Sequence, residues 1–145
     1  MDADHKLIRY RLSERHEFWE LAGAAQGSSE LQKRMRDPRT RESCHKLFLQ
    51  IGKIIDYGVS VSCGTGKLRC LDAKMGLYEI KGFDGANREM AYIICKEPAQ
   101  IVLLHWFRGH QGSGNIQREM DACRKSALVA SMLMSEADEL DEGER

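Results

Sequence analysis

Residues 76–109, GLYEIKGFDGANREMAYIICKEPAQIVLLHWFRG, leave the chain few choices of fold. Residues 77–81, 89–96 and 100–108 are short runs rich in Ile, Val, Tyr and Phe, separated by Asp84-Gly85 and by Glu97-Pro98. β-Branched and aromatic side chains pack well on a pleated surface, and Asp-Gly and Pro punctuate it, so three strands in an antiparallel meander are predicted. If Asp84-Gly85 is a two-residue turn, counting outward sets Lys81 opposite Arg88 on one face, and a four-residue loop keeps that face. Like charges facing across strands cost up to about 1 kcal/mol. Two cations held there therefore point to an anion between them, with phosphate the obvious one. The alternative is that each pairs with a carboxylate such as Glu79 or Glu89, or stays in solvent.

These residues carry a resemblance. Gly76-Leu77-Tyr78-Glu79-Ile80-Lys81, then Arg88 ahead of an aromatic strand, then Leu103-Leu104-His105-Trp106-Phe107-Arg108, resemble the core of the RelE/ParE superfamily of toxins, closest to its phage-derived HigB-like branch. The match spans roughly residues 45 to 125. It implies a compact sheet whose basic residues bind messenger RNA in the ribosomal decoding site and cut it without a metal or other cofactor. It also implies a cognate antitoxin, a small protein of helix-turn-helix type. By that resemblance Lys81 and Arg88 hold the scissile phosphate and Arg108 stabilises the developing charge or sits near the leaving group; His105 and His110 are the side chains at hand to move protons. Gly109, His110 and Gln111 stand where HigB-like proteins carry a lysine pair and a threonine-rich turn, and no aromatic residue follows Phe107. His110 is the residue left to substitute as base. His105, between Leu103 and Phe107 in a strand apolar on both faces, also reads as a satisfied core histidine.

The 145 residues suit one domain, 1–135, followed by an acidic tail, 136–145, expected to be disordered. Lys and Arg number 22 against 22 Asp and Glu, but the last ten residues hold six acids and one base. The remainder carries 21 cations against 16 anions, a surplus that suits a polyanion partner. Five cysteines, at 44, 63, 70, 95 and 123, form no CxxC pair and read as buried thiols in a reducing cytoplasm. No apolar run is long enough to span a bilayer, so no membrane partner is expected.

Along the rest of the chain, residues 6–12 alternate basic and apolar and read as a strand added to the meander. Ser13 is a candidate cap for a helix carrying Phe18, Leu21, Ala22 and Ala25, and Ser29 with Gln32 for a short second turn. Asp37-Pro38 opens a longer helix with Leu47, Phe48, Ile51, Ile54 and Ile55 as its stripe, stopped by Gly58. Residues 59–67 end in Gly-Lys, but Val61 stands where a phosphate loop needs glycine and Leu68 follows the lysine, so this is a glycine turn. His45, Cys63, Cys70, His105 and His110 lack zinc-ligand spacing, and no metal is expected. Asn115 or Gly114 caps a last helix to about Met134, buried through Ile116, Met120, Cys123 and Ala127. Its basic side, Arg118, Arg124 and Lys125, either extends an RNA track or solvates the helix.

The expected fold is α+β and RelE-like. A small antiparallel sheet, the N-terminal strand plus the meander, packs with two or three N-terminal helices and a C-terminal helix on one side, leaving the other as the working face. The expected function is a type II toxin that cleaves ribosome-bound messenger RNA. The alternatives are a gyrase poison of the ParE kind and a non-enzymatic phage or mobile-element protein that uses the scaffold to bind a partner.

Overall fold

Six strands form one mixed sheet in the computed structural model, which describes residues 5–23, 29–81, 87–108 and 116–143. They are β1 (His5–Arg11), β2 (Glu17–Gly23), β3 (Leu68–Asp72), β4 (Leu77–Ile80), β5 (Asn87–Ile94) and β6 (Gln100–Arg108), in the order β1-β2-β6-β5-β4-β3. Three helices, α1 (Glu30–Arg36), α2 (Arg41–Tyr57) and α3 (Val59–Gly64), lie between β2 and β3 in the chain, and α4 (Ile116–Gly143) follows β6. Every neighbouring pair is antiparallel except β2 and β6, which run parallel. The class is α+β, and the meander β4-β5-β6 is the expected one.

The segment expected as a first helix is the strand β2. Phe18, Leu21 and Ala22 fit a helical period, but Phe18 packs in the core on one face while Trp19 and Leu21 pack in the core on the other. A strand buried on both faces loses its alternation and mimics a helix stripe. Ser13 turns a hairpin instead of capping a helix: its Oγ accepts from the His16 amide at 3.2 Å, and Leu12 N donates to His16 O at 2.8 Å. The Tyr10 and Phe18 rings, paired across that hairpin, stack 5.0 Å apart. β1 therefore pairs with β2, and β2 separates it from the meander.

Ser29 does cap α1, accepting from Gln32 N at 2.9 Å. Asp37 ends α1 instead of opening the next helix, and α2 starts four residues later, at Arg41, behind Thr40. Gly58, at φ 92°, stops α2 as expected. The expected glycine turn is present at Gly66 (φ 80°), flanked by α3 and β3, which the sequence did not announce. α4 runs to Gly143, past Met134 and through most of the acidic run.

Helices cover both faces, so the expectation of one open working face fails. On one face Leu47, Ile51 and Ile54 of α2 meet Phe18, Ile80, Ala91, Ile93 and Ile101. On the other, Cys123, Ala130 and Met134 of α4 meet Leu21, Leu77, Met90, Val102 and Phe107. Apolar area on both sides of the meander needs two covers, and α4 supplies the second. Cys44 and Cys123 are buried, Cys63 is half-buried, and Cys70 and Cys95 are exposed, so only two of the five thiols are the core residues expected. No helix among the described residues is long and apolar enough to cross a membrane.

Candidate functional site

The end of the sheet where β4 and β6 stop and β5 starts gathers the expected cations by register. β4 and β5 pair from Leu77↔Tyr92 to Ile80↔Glu89, and one more step sets Lys81 across from Arg88. Arg88 is in turn paired with Phe107, and Asn87 with Arg108. Lys81 and Arg88 thus share a rung and a face, whereas Arg108 is one rung further and therefore at a position of the opposite face, so the register does not bring it together with the other two. Gly76 fixes where β4 starts: at φ 67° its carbonyl accepts from Ile93 N at 2.8 Å, and a Cβ there would lie 2.9 Å from the Ile93 oxygen.

Period-two alternation places Glu79, Lys81, Arg88 and Met90 on the face covered by α4. Glu79 is fully buried, with Lys81 Nζ 3.9 Å from its Oε1 and no hydrogen bond to either oxygen among the described residues. The cations thus have a carboxylate beside them, the alternative weighed from sequence. Arg118 and Lys125 are exposed on α4, whereas Arg124 is occupied: its Nε donates to Asp72 at 3.2 Å and its Nη1 to Asp121 at 2.9 Å. Arg124 straps α4 to the end of β3. His110 lies outside the described residues.

His105 is exposed and not a core residue. Met90 pairs with His105 but Ala91 with Leu103, so Leu104 is an extra residue in β6, and the strand bends there. The bend opens a cleft that the sequence did not reveal. β2 and β6 pair at only two rungs, Trp19↔Val102 and Glu20↔Leu103. Beyond them the parallel strands diverge around a space of about 420 Å³, roofed by Glu30, Lys33 and Arg34 of α1.

Buried charge lines this cleft. Arg34 Nη2 donates to Glu89 Oε2 at 3.0 Å, and the guanidinium lies 5.2 Å from the centre of the Trp106 ring, the cross-strand neighbour of Glu89. Burial pushes the Glu89 carboxyl up to about 7, against the pull of Arg34 and with the help of Glu20 and Glu30. Glu20 is saturated: Tyr10 OH donates to it at 2.7 Å, Leu31 N at 2.9 Å, and Ser29 Oγ closely. Burial, aided by the Glu20 carboxylate, pushes the Tyr10 phenol up to about 12.

Neither Arg34 nor Glu20 stood out from the sequence. The available signal is an acid inside each apolar strand, Glu20 between Trp19 and Leu21 and Glu89 ahead of Met90-Ala91. A buried strand tolerates an acid only where a partner meets it. A carboxyl that titrates near neutrality in a cleft is suited to proton transfer or to linking ligand binding to pH. The chain matches no family model, no curated protein and no solved structure.

Proposed function

We propose that the chain is a toxin-type endoribonuclease that cuts ribosome-bound messenger RNA and is restrained by a small antitoxin protein. One observation supports the reading: Lys81 stands opposite Arg88 on one face of the sheet. In metal-free cleavage the 2′-hydroxyl attacks its own phosphorus, negative charge grows on the phosphorane oxygens, and the 5′-oxygen departs with a proton. Cations on rigid strands stabilise that charge without moving at the moment of reaction. Lys81 and Arg88 hold the phosphate and meet the developing charge, and His105 or His110 carries the proton. An arriving phosphate replaces Glu79 as counter-charge to Lys81.

Glu79 also favours a second reading. A buried carboxylate 3.9 Å from Lys81 is compatible with a purely structural pair, on a scaffold that binds a partner without chemistry. Induced expression with mapping of messenger RNA 5′ ends separates the two. The first reading expects translational arrest and new 5′ ends within ribosome-bound messages. Unchanged ends with a DNA-damage response indicate a gyrase poison, and neither response indicates the binding protein.

A further inference from the structure

The cleft between β2 and β6 has the topology of a binding crevice. After β2 the chain continues to α1 on one face of the sheet, and after β6 to α4 on the other. Where neighbouring parallel strands send their connections to opposite faces, their carboxyl ends cannot be bridged by packing, and open sheets hold ligands there. Here the two-rung pairing and the Leu104 bulge widen that crevice. Its volume, about 420 Å³, lies within the usual range for small-molecule sites, roughly 300–1,000 Å³.

Its lining specifies a ligand. Leu103 supplies an apolar wall and Trp106 an aromatic one, both on the face that α1 covers. Lys33 and Arg34, adjacent on α1, supply two cations. Of the acids, Glu20 is consumed by its three internal donors. Arg34 is more than nine-tenths buried, gives one nitrogen to Glu89, and has no hydrogen-bond partner on Nε among the described residues. A planar guanidinium beside an ammonium is matched to a phosphate group, and the two kinds of wall to an aromatic body. We propose that the cleft binds a small phosphate ester with an aromatic body, of mononucleotide size, with its phosphate on Lys33 and Arg34 and its ring against Trp106. The site lies on the α1 side of the sheet, apart from the Lys81–Arg88 rungs, and stands or falls independently of RNA cleavage.

Binding is linked to a proton. Around Glu89 stand Arg34 and Glu30 of α1, Glu20 of β2 and Cys44 of α2, with Lys33 lining the same cleft. A phosphate placed on Arg34 competes with the Glu89 carboxylate, so the complex favours the protonated acid. Affinity through Glu89 therefore rises as pH falls toward about 7 from above, by at most tenfold per pH unit, and levels off below it. The phosphate's own second ionisation near pH 6 acts oppositely, and the Glu89→Gln protein isolates it, since the amide still accepts from Arg34.

Calorimetric titration of the full chain with adenosine 5′-monophosphate and with inorganic phosphate, between pH 6.5 and 8, tests this. The nucleotide is expected to bind more tightly than phosphate. Lys33→Ala, at an exposed position that leaves the fold intact, is expected to weaken the nucleotide about tenfold. Glu89→Gln is expected to remove the rise in affinity between pH 8 and about 7. No nucleotide binding to the folded native chain overturns the proposal, as does unchanged affinity in Lys33→Ala. Phosphate binding as tightly as the nucleotide overturns the aromatic assignment, and an unaltered pH profile in Glu89→Gln overturns the linkage.

Discussion

Arg88 and Glu89 are consecutive residues of β5, yet the pleat sends them into different environments. Arg88 lies on the face that α4 covers, beside Lys81 and the buried Glu79. Glu89 lies on the face that α1 covers, in direct contact with Arg34. Each face buries a carboxylate, but the closures differ. Glu89 accepts a 3.0 Å hydrogen bond from a guanidinium itself packed on Trp106, whereas Glu79 accepts none among the described residues and has an ammonium at 3.9 Å. One face holds a completed ion pair, and the other a loose group of charges that a ligand can rearrange.

Breaking the completed pair gives the largest expected effect. Arg34→Ala leaves Glu89 buried without its cation and also exposes one face of Trp106, at a cost of about 3–5 kcal/mol near pH 8. At pH 5 the loss shrinks, because a protonated Glu89 needs no counter-charge. Urea unfolding at the two pH values measures both, and equal losses would show that Arg34 acts through packing alone.

Next in size is the pH dependence of the native chain. Glu89 is raised from an ordinary 4.5 to about 7, so the folded state binds more protons than the unfolded one between those values. The sign follows: its contribution is fully present below about pH 4.5 and is lost as pH rises through about 7. The loss is about 3 kcal/mol. Glu89→Gln is expected to flatten this part of the profile, read as unfolding midpoint against pH. A Gln protein that keeps the native slope places the titration on another group.

The two faces were unequally legible in the sequence. The meander shows itself because each strand is β-branched or aromatic and each boundary carries Gly or Pro, and the count from Asp84-Gly85 agrees with the register that sets Lys81 against Arg88. β2 does not, because burial on both faces erases the alternation that marks a half-buried strand, and Phe18, Leu21 and Ala22 then satisfy a helical period equally well. Losing β2 hides the parallel β2–β6 pair, and with it the cleft. Alternation along β5 also tells only that Arg88 and Glu89 part company. Which helix covers which residue depends on contacts between Arg34 and Glu89, 55 positions apart, that no local pattern encodes. α4 as a second cover is hidden likewise, since its apolar stripe fits either face.

The smallest expected effect separates the two readings of the α4 face. Lys81 is partly exposed and 3.9 Å from Glu79, so their attraction is screened and contributes at most about 1 kcal/mol. Repulsion from Arg88 across the strand pair offsets part of it, by a few tenths of a kcal/mol. Lys81→Met is therefore expected to shift stability by less than about 1 kcal/mol. If Lys81 contacts phosphate in the bound state, the same substitution lowers RNA affinity and flattens its dependence on the logarithm of salt concentration by about one unit of slope. Thermal unfolding of the free protein and RNA binding at several salt concentrations give the two numbers. A stable variant with a flatter slope keeps the phosphate site on these rungs. A loss of several kcal/mol with RNA binding unchanged makes Lys81 the structural partner of Glu79, and α4 then covers a second closed ion pair like that beneath α1.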